Sequence, residues 1–157
     1  MIVFETGFYP YVLTSFRGKG FTEAEYTAFL GLSAAMGKKA QAAGTRHVSI
    51  TLGGVEMAAS ERKMVARLME TFPKELMDLN VASYVIVPSP AIRGIITALR
   101  WLSPKLKVIE PVASIDDAMT AAAAALRAHG VSVPEMQATG ARRWLRAELS
   151  RQEKQTA

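Results

Sequence analysis

The chain has 157 residues, of which 50% are hydrophobic and 21% charged, with a formal net charge of +5. That length and balance predict one folded domain with room for a full hydrophobic core, and they exclude a disordered bulk. Cysteine is absent, which excludes disulfides and thiolate ligands.

No apolar run reaches the roughly 18–20 residues that a bilayer span needs. The start, MIVFETGFYP, lacks the basic segment and long apolar stretch of a secretion signal, so a cytoplasmic protein is expected. The positive charge favours acidic partners in general. Residues 131–157 hold five Lys+Arg against three Asp+Glu, so the charge is spread, and a solvated surface rather than nucleic acid is expected.

Residues 2–6 (IVFET) and 9–17 (YPYVLTSFR) predict two strands, rich in β-branched and aromatic side chains, with Pro10 near the start of the second. After Gly18 and Gly20, Thr22 and Glu25 have the spacing of a capping box, and Phe21 and Tyr26 that of a hydrophobic staple. Tyr26, Phe29, Leu30, Ser33, Met36, Gly37 and Ala40 then recur at helical spacing, so residues 23–43 are predicted as an amphipathic helix closed by Gly44.

Residues 45–52 (TRHVSITL) alternate, with Val48, Ile50 and Leu52 on one side and His47, Ser49 and Thr51 on the other. Such a strand is expected to bury one face only. Gly53-Gly54 turns the chain, and a helix is predicted over 60–71 with Ser60 at its start and Met64, Val65, Leu68 and Phe72 inward. Pro73 interrupts it, and residues 74–79 predict one more helical turn.

Residues 81–87 (VASYVIV) read as a central strand. Ser89-Pro90 supplies an N-cap and a first-turn proline for a helix with Ile92, Ile95, Ile96, Leu99 and Leu102 along one stripe, ending at Ser103-Pro104. Residues 106–109 predict a short strand. Ser114 then caps a helix whose inward residues are Ile115, Ala118, Met119, Ala122 and Leu126, with Gly130 as its stop.

The predicted order is β-β-α-β-α-β-α-β-α: an α/β domain with a mixed, mostly parallel sheet, one antiparallel edge pair, and helices packed mainly on one face. Residues 1–130 make up that domain. Residues 131–157 form a linker and an extra helix over about 138–154, whose apolar side chains are Ala141, Trp144, Leu145 and Leu149. With so few of these, the helix is not expected to stand alone; it docks on the domain or on a second copy as a homo-oligomer contact.

Several local signatures occur together in this order. Phe16-Arg17-Gly18-Lys19-Gly20 leads into the capped helix from Phe21-Thr22-Glu23-Ala24-Glu25-Tyr26. Later come Val85-Ile86-Val87-Pro88-Ser89-Pro90-Ala91-Ile92-Arg93-Gly94, a helix end at Leu99-Arg100-Trp101-Leu102, and Ser114-Ile115-Asp116-Asp117-Ala118. Across residues 1–130 the chain resembles the STAS domain family, in particular its small stand-alone bacterial members related to the sporulation anti-sigma-factor antagonist.

That resemblance implies a non-catalytic regulatory protein-interaction module, with a kinase, an anti-sigma factor or a larger regulatory assembly as partner. It also implies a phosphorylated Ser or Thr at the start of the second helix. The matching residue is Ser60, with Arg62 beside it, in Val55-Glu56-Met57-Ala58-Ala59-Ser60-Glu61-Arg62. The family's preceding acidic residue is Ala58 in this chain, and its following glycine is Glu61, a departure that makes the switch degenerate. The alternative function is a carrier or sensor of a small lipophilic or anionic ligand, as in lipid-carrying proteins likened to the wider group, with the chain's 8 methionines as adaptable lining.

Catalytic and cofactor chemistry find little footing. His47 and His129 are far apart in sequence with no carboxylate at ligand spacing, so no metal is expected. Gly18-Lys19-Gly20 lacks the length of a phosphate loop, and no GxGxxG follows Gly53-Gly54. Asp116 and Asp117 lie in a first turn, where the helix dipole accounts for them. One anion candidate remains: Ser89, the amides behind it and Arg93, at the carboxyl end of a strand. No enzyme and no cofactor are predicted.

Overall fold

The computed structural model describes residues 1–18, 20–53, 58–102 and 109–156. Its elements are β1 (Ile2–Glu5), β2 (Tyr11–Phe16), α1 (Glu23–Ala42), β3 (His47–Leu52), α2 (Ala59–Glu70), α3 (Lys74–Met77), β4 (Asn80–Ile86), α4 (Pro90–Leu102), β5 (Ile109–Val112), α5 (Ile115–Ala128) and α6 (Glu135–Thr156). The strands lie side by side in chain order, β1 antiparallel to β2 and the other neighbours parallel. This is an α/β fold with the expected antiparallel pair at one edge.

Local chemistry sets the helix boundaries. Thr22 Oγ1 accepts from the Glu25 amide at 3.2 Å, while Glu25 Oε2 accepts from the Thr22 amide at 2.8 Å, so the predicted capping box starts α1. Phe21 stacks on Tyr26 with ring centroids 5.4 Å apart, which makes the staple. Ser114 Oγ accepts from the Asp117 amide at 3.1 Å and starts α5.

Register decides which side chains share a face. Tyr11 lies beside Val48, Leu13 beside Ile50, and Ile50 beside Tyr84. Side chains two apart on a strand point the same way. Tyr11, Leu13, Val48, Ile50, Leu52, Tyr84 and Ile86 therefore line one face, where they pack against Ile115, Ala118, Met119, Ala122 and Leu126 of α5 and Ala141 and Leu145 of α6. All five inward residues predicted for α5 are buried.

The opposite face carries α1. Phe29 meets Phe4 and Phe16 at ring-centroid distances of 5.5 and 6.3 Å. Leu76 of α3 rests on Gly37 of α1, where a Cβ would come within 3.2 Å of the leucine Cβ. The polar side of β3 is not open to water as expected: His47 is only 4% exposed.

Helices packed mainly on one face are thus not what the structure has. α1 and α3 lie on one side of the sheet, α5 and α6 on the other. α5 packs on β3 and β4 there, and the tail adds to that layer. Its Ala141 and Leu145 are 0% exposed, so the last helix docks back on its own domain and covers β2 and β3 together with α5. Arg142 and Arg146 also form exposed ion pairs with Asp116 of α5, at 3.1 and 3.4 Å.

Of the strand expected over 106–109 only Ile109 falls among the described residues, and the described strand runs on to Val112. It includes Pro111, which an edge strand tolerates. The Val112 carbonyl accepts from the Val87 amide at 2.8 Å, so Glu110 and Val112 face β4 and Pro111 faces the free side. Gly54, the helix end at 103–104 and the first part of the predicted strand lie outside the described residues, as do the side chains of Ile95, Leu99 and Leu102.

Candidate functional site

Ligands and partners of open α/β sheets collect beyond the carboxyl ends of the parallel strands. Three groups of side chains stand at that edge: the start of α2 after β3, the start of α4 after β4, and the end of α6 over β2 and β3.

At α2, Ser60 is not the cap that its residue type predicts. The N-cap is Ala58, and Ser60 is the second helical residue, exposed to solvent, as is Arg62. Alanine has no side-chain acceptor, so only half of a capping box exists: Glu61 Oε2 accepts from the Ala58 amide at 2.7 Å. Glu61 Oε1 meanwhile accepts from the Phe21 amide at 3.1 Å and ties α2 to the approach of α1. A glutamate three residues past Ala58 with two amides in reach moves the cap away from the serine. One further tie is the exposed Arg67–Glu23 pair at 2.8 Å. No α2 side chain is buried. Of the stretch Val55 to Arg62 that carries the expected switch, positions 55–57 lie outside the described residues.

At α4, Ser89 Oγ accepts from the Ile92 amide at 3.5 Å, and Pro90 opens the helix as predicted. Arg93 turns back on the chain. Its Nη1 donates to the Val87 and Pro88 carbonyls at 2.7 and 2.6 Å. The guanidinium thus braces the strand-to-helix turn, and Ser89 caps α4, the two side chains standing together at the start of the helix.

The third group was invisible in the sequence. Glu148 of α6 is 0% exposed. It accepts from Arg17 Nε at 2.8 Å and Nη2 at 2.6 Å, a bidentate pair, and also from Arg151. One turn on, Gln152 Nε2 donates to Ser15 Oγ and the Phe16 carbonyl, each at 3.0 Å. Gly53 leaves room for this: with φ at +74°, a Cβ there would lie 2.7 Å from the Phe16 carbonyl and 3.1 Å from Gln152 Nε2.

Burial alone would raise the Glu148 carboxyl pKa, but the hydrogen bonds and charges of Arg17 and Arg151 outweigh it and hold it below the usual carboxylate range. A carboxylate held ionised between two guanidiniums is a poor proton carrier at neutral pH. It works as a clasp. The only sequence signal was its place on the Ala141–Leu145 side of the helix.

The histidines do not form a centre. Burial pushes His47 down to about 4, and its Nδ1 has no hydrogen-bond partner among the described residues. The Nδ1 of His129 lies 2.9 Å from the Ala125 carbonyl at the end of α5. Among the described residues no group of three or more His, Cys, Asp or Glu is placed to hold a metal ion, and no helix is long and apolar enough to cross a membrane. Compared with protein-family models, curated proteins and solved structures, the chain matches none.

Proposed function

We propose that this chain is a regulatory protein-interaction module of the STAS, anti-sigma-factor-antagonist type, acting in the cytoplasm by docking a protein partner rather than by catalysis. The element order and the mixed five-stranded sheet are of the kind that this resemblance implies. One observation carries the reading: α2 has no buried side chain and presents Ser60 and Arg62 to solvent in its first turn. A helix so lightly held offers Met64, Val65 and Leu68, all half-buried, within a charged rim, the composition of a modest docking patch.

Ser60 is well placed for a phospho-switch. A phosphoryl group at a second helical position lies in the positive field of the helix N-terminus. Glu61, whose charge would oppose it, already receives hydrogen bonds from the Ala58 and Phe21 amides.

The test is capture of partners from the native host by the full chain and by its Ser60→Asp, Ser60→Ala and Arg62→Glu variants, with phosphopeptide mapping of Ser60. The expected result is one protein partner retained by the parent chain and by Ser60→Ala, and weakened about tenfold or more by Ser60→Asp or Arg62→Glu. Equal recovery of every protein by all four chains, with Ser60 unmodified, would overturn the proposal.

A further inference from the structure

The two edges of the sheet are unequally protected. β5 carries Pro111 on its free side, whereas β1 reads Ile-Val-Phe-Glu, with no proline or lysine to block an incoming strand. The Met1 and Arg17 main chains exchange both hydrogen bonds, at 2.9 and 3.1 Å. Antiparallel alternation then turns Val3 and Glu5 toward β2, and the N–H and C=O groups of Ile2 and Phe4 outward.

Beside this edge lies a groove lined by Met1, Ile2, Phe4, Glu25, Ala28 and Leu32. Met1 and Leu32 are large hydrophobic residues left 54% and 55% exposed. Along α1, Glu25, Ala28, Leu32, Ala35 and Lys39 follow one another in steps of three and four, the spacing of a two-helix seam.

That seam is complementary to itself when reversed. Turned end for end about Leu32, it sets Ala28 opposite Ala35 and Glu25 opposite Lys39. The acidic first turn of α1 (Glu23, Glu25) then meets a basic last turn (Lys39). A strand with outward amides, an apolar groove and charges that meet their opposites in a reversed copy together select the occupant, with Glu25 also 3.5 Å from the Met1 ammonium of its own chain.

We propose that this face is covered by a second copy of the chain, related by a twofold axis. β1 pairs antiparallel with the partner's β1, and α1 packs antiparallel on the partner's α1, with Leu32 against the partner's Leu32 and Glu25 opposite the partner's Lys39. The alanines let the helices approach to about 8–10 Å, as close packing requires. Ser60 and Arg62 take no part in this contact as drawn, so the dimer and partner docking are separate claims.

Because the chain has no cysteine, a single engineered thiol reads the geometry. Light scattering of the full chain at about 100 μM should give twice the 17.0 kDa of one chain. Leu32→Asp, at an exposed position, should keep its circular dichroism and weaken association about tenfold or more. Leu32→Cys, oxidised mildly, should cross-link into a covalent dimer, while Met136→Cys, on α6 and still more exposed, should not. A monomeric parent chain, a dimer unmoved by Leu32→Asp, or cross-linking no better at position 32 than at 136 would each overturn the proposal.

Discussion

Under α5 and α6, the side chains of Leu13, Val48, Ile50, Leu126 and Leu145 are completely buried. Under α1, Phe4, Phe16 and Phe29 keep part of their surface in solvent, and α2 contributes no buried residue at all. The first layer interlocks aliphatic side chains from five strands and helices. The second is an aromatic cluster under α1, with α3 packed beside it and α2 attached through Glu61 and an exposed ion pair. One side of the sheet holds the fold together, and the other leaves surfaces free to bind.

Mutations that shrink one side chain on each face test that contrast most strongly. Leu145→Ala should destabilise the domain by about 3 kcal/mol, because a fully buried leucine leaves a cavity. Leu68→Ala, half-buried on α2, should cost about 1 kcal/mol or less. Urea unfolding of the two variants compares them directly, and equal losses would mean that the two faces are held alike.

The clasp between the layers comes next. Glu148→Gln keeps the shape but leaves Arg17 and Arg151 without their carboxylate. Those side chains are 21% and 58% exposed, so water compensates in part. The loss should be about 2 kcal/mol, below that for a wholly buried pair. A denaturation midpoint unchanged by this substitution would show that α6 is held by Ala141 and Leu145 alone.

The smallest effect is a pH slope on the α1 side. His47 is neutral in both folded and unfolded chains above pH 6.5. Below that, the unfolded chain takes up a proton, while the folded one resists it until about pH 4. Stability supplied by the neutral imidazole is therefore lost as the pH falls through that window. It should be about 1 kcal/mol lower at pH 5.5 than at pH 7.5, and His47→Gln should flatten the slope whatever it does to the absolute stability. An identical slope in the variant would mean that water reaches His47.

Signals that act within a few residues were legible without coordinates. The Thr22–Glu25 box, the Phe21–Tyr26 staple, the Ser89 and Ser114 caps and the five inward residues of α5 follow from side-chain chemistry over one or two helical turns. The same kind of reasoning misplaced the start of α2, because a serine is a good cap in isolation. There Glu61 could reach both the Ala58 amide and the distant Phe21 amide, and that reach settled the boundary.

Sequence alone determined the order of strands and helices, since periodicity and capping are properties of neighbouring residues. Tertiary structure decided which face each helix covers, that the tail closes the second face, and that Glu148 meets Arg17 across 131 positions. Such pairings depend on how buried area and buried charge are satisfied by the whole chain at once, and no window of adjacent residues contains that information.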